Sequence, residues 1–573
     1  MRNRKTSGGL TVNAIAGTGV VMLGLDLTDA ARSGCLGFAV SRERHDTGEI
    51  EWLRGMKCFE ATEDDGSDGE GFRSNKHPFQ SFNWSDYTAR PDTEYTFKVI
   101  AMYGTPENLT EGAAISVRIK TEAELGAKHS VFFNRGAAAS QAYARRFNNR
   151  YPDDVLNGPG YNAAYKWLSR GLFESLTNFL ARAVDNSFSL RGAIYEFENE
   201  WTLEAVKAAS LLAPDIKVIY DATDPPPPPP VPPSTKQKQN TTTKNRHAVA
   251  KAGIQHLCLE RTEGTIMHNK FFVLSKNGQP ISVWTGSTNQ TENGIFGHSN
   301  VGHIVEDAAI AKKYLDYWDQ LILDSATIDA WVQANNPVPA YPPADDVTAI
   351  FSPHKTMHAL DLYVEIADNA KEALFMTFPF GMHKKFQKVY EKEANIAPDQ
   401  RKVLNFALME KEGNGSGLAQ GKIDVARIRR RSNVICALGT SIRMNLFDRW
   451  VAEMPKPTRH AGVLWVHTKY MVVDPLGNNP VVVTGSANFS DASTTDNHEN
   501  MLIVQGDHRT ADIYLGEFMR LHSHYAFRET VAKNWNNNQI WRPQFLIPND
   551  TWQDLNYFVP GTERFMRRKY FSG

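Results

Sequence analysis

The chain has 573 residues, of which 41% are hydrophobic and 22% are charged. Since a domain takes roughly 100 to 200 residues, this length excludes a single ordinary core and predicts about three or four units. Lysine and arginine together number 63, and aspartate and glutamate together number 64. The overall charge therefore neither favours nor excludes a polyanionic partner.

The first residues, 1–9, begin basic, but no apolar stretch of a secretory leader follows them. No later stretch reaches the roughly 18 apolar residues that span a bilayer. We therefore expect a soluble, cytoplasmic protein without a transmembrane segment, and export by a non-classical route stays open. The four cysteines show no Cys-x-x-Cys spacing, which predicts neither a zinc site nor a disulfide framework. A Cys35–Cys58 bridge is the one alternative.

Residues 1–122 alternate short apolar runs with Gly, Asp, Asn and Pro, a pattern that predicts an antiparallel β-sandwich. Within this unit, a turn at Pro91 leads into Tyr95-x-Phe97-x-Val99-x-Ala101. This segment resembles the penultimate strand region of fibronectin type III domains. The resemblance implies a structural or binding role for the unit.

From about residue 126, long helical stretches alternate with apolar strands. We predict a helix over 163–183, a strand over 192–197, a helix over 201–212 and a strand over 216–221, which form a β-α-β unit. The same alternation returns after residue 346, with a predicted helix over 359–371 and strands over 373–377 and 402–407. The sequence therefore predicts two similar α/β lobes, 126–345 and 346–573.

A proline-rich insertion, residues 224–246, interrupts the first lobe. Prolines fill 225–233 except at Val231, and a polar stretch follows, so we expect an extended rod that runs into a flexible loop. A stiff surface insertion is the favoured interpretation. A ligand for a proline-recognising domain and a lid near the active site are the alternatives.

Both lobes contain the same polar motif at the same spacing. His268-x-Lys270 precedes an apolar run and then Gly286-Ser287-x-Asn289; His467-x-Lys469 precedes another and then Gly485-Ser486-x-Asn488. The His-to-Gly offset is 18 and the His-to-Asn offset is 21 in both copies. Because strand side chains alternate between faces, each His and Lys project from the same side, as do each Ser and Asn.

These residue types suit phosphoryl transfer at a phosphodiester. One imidazole attacks phosphorus to give a phosphohistidine, and the other protonates the departing alcohol and then activates water. The lysines and asparagines supply donors to the non-bridging oxygens, where negative charge is held in the transition state. Because the lysines neutralise the negative charge of the phosphoryl oxygens, we predict no metal and no other cofactor.

With these motifs the chain resembles the phospholipase D superfamily, whose members carry two His-x-Lys-x(4)-Asp motifs, each followed by Gly-Ser-x-Asn. The resemblance covers about residues 126–573. It implies two α/β lobes related by pseudo-twofold symmetry, an active site between them, and a ping-pong reaction with His268 as nucleophile and His467 as general acid and base. The sequence alone does not decide that order. The site prediction comprises six catalytic residues and four supporting ones: His268, Lys270, Asn289, His467, Lys469 and Asn488; Ser287, Asp474, Ser486 and Glu499.

The first copy departs from the family pattern. Ser275 stands where Asp474 stands in the second copy, and Ser299-Asn300 aligns with Glu499-Asn500. Because His, Lys and Asn are all retained, we expect an asymmetric but active site. A degenerate, inactive first copy is the alternative.

We expect the other polar groups near the motifs to have structural roles. Four further histidines, His298, His303, His498 and His508, are expected to be hydrogen-bonding residues. Two basic clusters are expected to be solvated, although each is also a candidate contact for phosphates. The clusters are Arg427, Arg429, Arg430 and Arg431, and Arg564, Arg567, Arg568 and Lys569.

We predict an enzyme that hydrolyses phospholipid headgroup esters, with transfer to another alcohol as an accompanying reaction. The partners expected are a phosphodiester, a phospholipid in preference to nucleic acid, and a peripheral membrane surface. Both motifs lie in one chain, so no oligomer is needed to complete the site. One alternative is a metal-independent nuclease that acts on DNA or RNA. Another is a non-catalytic module in which the β domain and the proline rod bind a partner.

Overall fold

The computed structural model describes most of the chain. The described residues are 1–66, 71–136, 140–148, 150, 152–155, 161–224, 240–324, 326–392, 403–413, 417–439, 465–533 and 544–573. Residues 225–239 of the proline-rich insertion lie outside them, so the predictions made for the rod stay predictions. The flexible loop expected after it is wrong for residues 241–246, which begin the helix Thr241–Ala252 capped by the Asn240 side chain. No helix of the described residues is long and apolar enough to cross a bilayer.

The N-terminal unit consists of two antiparallel four-stranded sheets with the strand orders β1-β2-β3-β8 and β10-β9-β4-β5. Alternate residues of β9 are buried, as expected of a strand with one face on a core. Strands β6 and β7 form a separate two-residue pair. The strands are β1 Arg2–Ser7, β2 Leu10–Ala16, β3 Val21–Leu27, β4 Gly37–Arg44, β5 Glu49–Trp52, β6 Arg54–Gly55, β7 Phe72–Arg73, β8 Asn83–Asp86, β9 Glu94–Thr105 and β10 Asn108–Lys120.

Residues of both sheets share one apolar core, and the C-terminal segment 544–573 completes it. Trp552 is fully buried there, stacks on Phe82 with ring centres 5.2 Å apart, and donates its indole N–H to the Cys35 carbonyl at 2.8 Å. All four cysteines are free, so the alternative of a Cys35–Cys58 bridge is wrong. The fibronectin type III resemblance stays a prediction.

The two α/β lobes each contain a seven-stranded mixed sheet, and the two sheets have equivalent strand orders, β11-β17-β16-β15-β12-β13-β14 and β18-β24-β23-β22-β19-β20-β21. The prediction of two similar α/β lobes is thereby confirmed. The strands of the first are β11 His129–Phe133, β12 Phe188–Ile194, β13 Ile216–Asp221, β14 Cys258–Arg261, β15 Lys270–Lys276, β16 Gln279–Gly286 and β17 Val301–Val305. Those of the second are β18 Val347–Ser352, β19 Ala373–Phe378, β20 Leu404–Met409, β21 Val434–Leu438, β22 Tyr470–Val473, β23 Val481–Gly485 and β24 Glu499–Gln505.

Helices cover these sheets and connect the parallel strands, as the crossover rule requires. The described α-helices are Asp29–Arg32, Ser140–Phe147, Ala163–Ser169, Leu172–Leu180, Glu200–Leu212, Thr241–Ala252, Ala308–Leu321, Ile328–Asn335, His358–Asp368, Lys384–Glu391, Leu418–Ile428, Asp491–Thr495, His508–Lys533 and Glu563–Ser572. Short 3-10 helices occupy Glu60–Gly66, Pro152–Asp154, Gln255–Leu257 and Asp550–Asp554, and Asn293–Gly297 is a single π-helical turn.

The predicted helix over 163–183 is wrong as one continuous element. Arg170 and Gly171 both adopt left-handed backbone conformations, with φ of 49° and 88°, and they separate two helices. Asn162 caps the first of these by accepting from the amides of Ala164 and Tyr165. The hydrophobic periodicity ran through this break because both helices bury their apolar faces.

Candidate active site between the lobes

The two predicted His-x-Lys pairs sit at equivalent places in the two sheets. His268 lies two residues before β15, whose first residue is Lys270, and His467 lies three residues before β22. The histidines are 8% and 6% exposed, and both lysines are fully buried. Each lysine Nζ donates to the carbonyl of its own histidine, at 2.5 Å in the first lobe and 2.7 Å in the second. The local turn before each strand thus holds the ammonium beside the imidazole.

Reciprocal contacts bring the two copies together. Met267, just before His268, forms a bridge with His498 of the second lobe, and Val466, just before His467, forms one with Ser299 of the first. The His498 amide donates to the Ile266 carbonyl at 2.9 Å, and the Ser299 amide donates to the Trp465 carbonyl at 2.8 Å. The charges of His268 and Lys270 consequently act on His467. Both predicted pairs therefore face one interlobe cleft.

Each histidine is held at Nδ1 by a residue of the opposite lobe. The two Glu499 carboxylate oxygens lie 2.9 and 3.0 Å from Nδ1 of His268. The Asn300 carboxamide oxygen lies 2.8 Å from Nδ1 of His467. Since Nδ1 donates in both cases, Nε2 of each neutral ring is the acceptor and carries the free lone pair.

Asn300, and not Ser299, is the counterpart of Glu499. Each follows its motif serine by 13 residues, and Ser287 donates to Asn300 at 2.8 Å. The predicted alignment of Ser299-Asn300 with Glu499-Asn500 is therefore shifted by one residue. The shift arose because the sequence alignment matched two asparagines, Asn300 and Asn500, that are not structural counterparts. Asn500 instead accepts from Thr285 at 2.6 Å and donates to Asn269 at 2.8 Å, within the lobe interface.

The motif glycines are required by a close approach of two strands. A Cβ on Gly286, whose φ is 147°, would lie 2.1 Å from the Val301 carbonyl oxygen, and one on Gly485 would lie 2.2 Å from that of Asn500. Ser287 and Ser486, the predicted supporting residues, are both fully buried beside them. Ser486 accepts from the Asn500 amide at 3.0 Å. Each Gly-Ser segment thus packs closely against the start of the strand beside it, where Asn300 lies in the first lobe and Glu499 in the second.

The two motif asparagines have different surroundings. Asn289 is 8% exposed and its Nδ2 donates to the Glu196 carboxylate at 2.5 Å. The backbone N–H of Asn488 donates to the Ser493 hydroxyl at 3.0 Å. The side-chain oxygens of both asparagines are buried and have no partner among the described residues.

Sequence reasoning missed a matched pair of carboxylates, one in each lobe. Asp221, at the end of β13, accepts from the Met267 amide at 2.7 Å, and Glu410, just after β20, accepts from the Val466 amide at 2.8 Å. Each acid therefore fixes the residue that precedes a motif histidine. The available signal was an acidic residue at the end of the corresponding apolar strand in both lobes.

Asp474, predicted as a supporting residue, lies away from the cleft. Its carboxylate accepts from the backbone amides of residues 371, 372 and 373 at 2.7 to 2.9 Å. It stands seven residues from His467 along an extended segment, roughly 20 Å at the rise of a strand. Its contacts tie the end of β22 to the start of β19. The departure at Ser275 therefore does not touch the reacting groups.

Burial sets the protonation of the cleft. It lowers the pKa of His268 to about 4 and that of Lys270 to about 7, and the charge of Glu499 opposes both shifts. Burial, and next the opposite lysine Lys270, hold the pKa of Lys469 well below its usual range. Burial and the adjacent Lys469 do the same to the pKa of His467.

The carboxyl groups around the cleft shift in different directions. Burial works to raise the pKa of Glu499, but His268 and Lys270 together hold it below its usual value, so this group is a carboxylate at neutral pH. Burial raises the pKa of Glu196, and the neighbouring Glu198 adds to the rise. Burial likewise raises the pKa of Asp221 to about 6.

The four further histidines occupy different places. The His298 ring centre lies 5.6 Å from that of His467, and His498 packs against Gly264 at the lobe contact. His303 is buried between His129 and Tyr514 at 3.0 and 3.1 Å, away from the motif residues. His508 is exposed at the start of a helix.

At least five members of the two basic clusters are held in ion pairs. Arg427 contacts Glu391 at 2.6 Å and Arg429 contacts Glu529 at 2.6 Å. In the second cluster, Arg567 contacts Glu563, while Arg568 and Lys569 contact Asp26. Within the described part of the chain, no group of three or more His, Cys, Asp or Glu side chains is arranged to hold a metal ion.

A family model described as cardiolipin synthase, PLD-like domain, matches residues 178–322 and 431–522. These segments carry both His-x-Lys motifs and both Gly-Ser-x-Asn turns. Over these segments the chain is similar to a phospholipase D-like domain. No curated protein matches the chain.

Three solved structures illustrate what parts of this chain are similar to. Phosphatidylserine synthase from Haemophilus influenzae is 12% identical, with a TM-score of 0.42, over 69% of this chain and 92% of that one. The phospholipase D family member NUC from Salmonella typhimurium is 18% identical, with a TM-score of 0.22, over 31% and 94%. Yeast tyrosyl-DNA phosphodiesterase is 10% identical, with a TM-score of 0.31, over 59% and 88%.

Proposed function

We propose that the protein is a phosphodiesterase that hydrolyses phospholipid headgroup esters through a phosphohistidine intermediate. The observation that carries the proposal is the pair of imidazoles in one cleft, each fixed at Nδ1 by the opposite lobe and therefore presenting Nε2. A buried lysine lies beside each of them, and each motif turn that follows carries an asparagine, Asn289 or Asn488. This set supplies a nucleophile, a proton donor and positive charge without further groups.

The two Nδ1 partners support His268 as the nucleophile. Glu499 is a carboxylate, so it stabilises the positive charge that the His268 ring acquires when Nε2 bonds to phosphorus. Asn300 is neutral and orients His467 without adding negative charge, which leaves that ring a stronger acid once it is protonated. A bound phosphodiester anion favours protonation of His467, because it opposes the effects of burial and of Lys469.

The proposed reaction has two displacements. In the first, His268 Nε2 forms a bond to phosphorus, the bond from phosphorus to the headgroup oxygen breaks, and His467 gives its Nε2 proton to that oxygen. In the second, His467 takes a proton from water, the water oxygen bonds to phosphorus, and the phosphorus–nitrogen bond to His268 breaks. The products are the free headgroup alcohol and phosphatidic acid. Another alcohol in place of water gives transfer in place of hydrolysis.

In the proposed reaction the ammonium groups of Lys270 and Lys469 donate to the non-bridging oxygens. Both are fully buried, and the charges of Glu499 and Glu196 act to keep each of them protonated. Asn289 has a second Nδ2 hydrogen beyond the one given to Glu196, and Asn488 has two. In a water-poor cleft such donors stabilise transition-state charge more strongly than they do in water.

Hydrolysis in excess EDTA tests this proposal, with phosphatidylcholine, phosphatidylethanolamine, plasmid DNA and single-stranded DNA offered side by side. We expect headgroup release from the lipids, and its loss in His467→Ala. Cleavage of nucleic acid alone, lost in the same variant, would replace the lipid substrate by a polynucleotide. Inactivity on all four substrates would contradict an enzymatic role. Asp345→Ser, an exposed change outside the cleft, is the control.

A further inference from the structure

One buried side chain of the first lobe ties down the segment that carries Asn300. Asn134, the residue after β11, is fully buried. Its Nδ2 donates to the carbonyls of Ile295 at 2.8 Å and His298 at 2.6 Å, and its Oδ1 accepts from the Asn300 amide at 3.0 Å. A carboxamide has two N–H donors, and both are used here. Asn134 therefore holds this segment at three points.

The same segment holds His467 in the cleft. The Asn300 oxygen lies 2.8 Å from Nδ1 of His467. The Ser299 hydroxyl accepts from the His467 amide at 3.3 Å. Asn300 Nδ2 donates to the Gly294 carbonyl at 2.7 Å, so the oxygen of this carboxamide, and not its nitrogen, faces the ring. The tautomer and the orientation of His467 thus depend on where this segment is placed.

The equivalent position of the second lobe carries a smaller side chain. Asn134 and Ser352 are counterparts, because each follows a phenylalanine that pairs with the residue after the Nδ1 partner, Asn300 in one lobe and Glu499 in the other. A serine has one short hydroxyl and cannot hold three backbone groups. Glu499 makes a charge-assisted contact to its histidine, whereas neutral Asn300 makes a weaker one. The extra support therefore lies on the side where placement alone fixes the ring, that of His467.

A buried ion pair of the opposite lobe holds the backbone of Asn134. Arg520, on a second-lobe helix, donates from Nη2 to the Asn134 carbonyl at 3.1 Å and from Nη1 to the Arg135 carbonyl at 3.3 Å. Glu517 accepts from Arg520 Nε at 3.0 Å and also lies 2.9 Å from Nη1 of Arg170, a first-lobe residue. Arg520 and Glu517 are only 9% and 3% exposed. Because such a buried network is costly to break, the guanidinium fixes where the end of β11 lies.

We propose that Asn134 is a positioning residue for His467 and that Arg520 holds it in place from the opposite lobe. The inference rests on the proposed phosphodiesterase function, in which His467 protonates the departing oxygen. Asn134 keeps Asn300 where it accepts from Nδ1 of His467, so that Nε2 remains the reacting nitrogen. Packing of the two lobes therefore orients the proton donor as well as forming the cleft.

The first measurement follows the His467 ring directly. Nitrogen NMR spectra of the isotope-labelled histidine side chains, with His467 assigned by its loss in His467→Ala, should show a protonated Nδ1 and a bare Nε2 in the wild-type protein at neutral pH. In Asn134→Ala this pattern should change to a mixture of both tautomers, while the His268 ring keeps its wild-type pattern. Asn13→Ala, which removes another buried asparagine that donates to a carbonyl, is the matched control and should leave His467 unchanged.

The second measurement compares two leaving groups. Asn134→Ala should lose at least about tenfold in kcat/KM for a short-chain phospholipid, whose alkoxide needs a proton, and less than about threefold in the first step with a nitrophenyl ester, which does not. Arg520→Lys keeps the positive charge beside Glu517 but not the contact to two carbonyls, so it should show the same selectivity with a smaller loss. Should Asn134→Ala fail to fold, Asn134→Ser, which copies Ser352, replaces it in both measurements.

The two measurements together separate a positioning role from a purely structural one. A loss confined to the phospholipid, together with a changed His467 pattern, supports the inference. Equal losses on both substrates, or an unchanged His467 pattern in Asn134→Ala, would overturn it and leave the proposed function standing. A His467 pattern that depends on Asn134, in a protein that hydrolyses no phosphodiester, would contradict the proposed function alone.

Discussion

Asn300 occupies in the first lobe the position that Glu499 occupies in the second. Each stands 14 residues after the motif glycine, and each accepts from Nδ1 of the histidine in the opposite lobe, at 2.8 Å for Asn300 and 2.9 Å for Glu499. The two halves of the site therefore differ in the oxygen that accepts from the histidine Nδ1. One imidazole is backed by a carboxylate and the other by a carboxamide, which differ in charge but little in size.

Glu499→Gln should shift the pH profile as well as lower the rate. His268 attacks only when unprotonated, and Lys270 neutralises charge only when protonated, so kcat/KM should fall below a pH of about 4 and above about 7. Glu499 raises both pKa values, so its neutralisation should move both limbs to lower pH. The maximum should drop about 10- to 100-fold, as for other partners that orient a reactive histidine. The measurement is kcat/KM for a soluble phosphodiester against pH.

The reciprocal change is the control for that experiment. Asn300→Asp introduces a carboxylate beside His467 and leaves the contact between His268 and Glu499 in place. The acid limb assigned to His268 should therefore stay within the wild-type range. Equal displacement of that limb by both variants would contradict the assignment of His268 as nucleophile.

The rate losses caused by replacing the two histidines should depend differently on the leaving group of the substrate. His268→Ala should abolish turnover of every substrate because no covalent bond to phosphorus forms. His467→Ala should cost about 10²- to 10⁴-fold on a phospholipid, whose alkoxide needs a proton, and much less in the first step with a nitrophenyl ester. That variant should accumulate a phosphoryl adduct, since water attack lacks its base. Mass spectrometry of acid-labile, alkali-stable adducts locates it.

The peptide that carries the adduct decides the roles. A phosphoryl group on the peptide containing His268 supports the proposed order. A group on the peptide containing His467, or one formed in His268→Ala, would reverse it. His508→Ala, which changes an exposed histidine outside the cleft, should behave as wild type.

The grouping of the motif residues within each copy could be predicted from the sequence because their spacing is local. The distance from each histidine to its glycine spans one hairpin, and a hairpin fixes its own register. The partners of Nδ1 were harder to predict, because His268 and Glu499 are 231 positions apart and meet only when the lobes pack. The shared asparagine at 300 and 500 suggested a register that differs by one residue from the structural one.

Two further features could not be predicted from local pattern. Asp474 belongs to the family motif, but its partners are backbone amides of another strand, which no side-chain pattern reveals. Trp552 lies near the C-terminal end of the chain, yet it completes the core of the N-terminal unit. Such contacts depend on how separate elements pack, whereas periodicity reports only which face of one element is buried.

Asp474→Ser, which copies the first lobe's Ser275, should reduce stability and spare catalysis. Three backbone amides lose a charged acceptor at the strand end, so the free energy of unfolding should fall by about 2 kcal/mol. Because the cleft is remote from this contact, kcat/KM per folded molecule should remain near the wild-type value. Urea unfolding and active-site titration measure the two quantities, with Asp345→Ser as the exposed control.

A loss of kcat/KM in folded Asp474→Ser that exceeds about tenfold would contradict this interpretation. It would mean that the end of β22 transmits a displacement to His467, as misplacement of a catalytic group by about 1 Å can cost 10²-fold. The same experiment therefore tests whether the aspartate of the second motif copy has a structural role only.

The histidine pair in the first lobe should make stability depend on pH. His303 is fully buried against His129 and Tyr514, and burial, reinforced by His129, holds the pKa of His303 well below its usual value. Below the unfolded-state pKa of about 6.5, the unfolded chain therefore binds a proton that the folded chain excludes. Stability should fall as the pH drops below that value, by about 1.4 kcal/mol per pH unit for this group.

His303→Gln removes this proton difference and keeps a hydrogen-bonding side chain in the same space. The slope of unfolding free energy against pH, measured by urea unfolding between pH values of about 5 and 6.5, should be shallower than that of wild type by about 1.4 kcal/mol per pH unit. His256→Gln, which changes an exposed histidine, should leave the slope unchanged. Equal slopes in all three proteins would mean that His303 gains its proton without unfolding, because the contact between β11 and β17 opens locally and admits water.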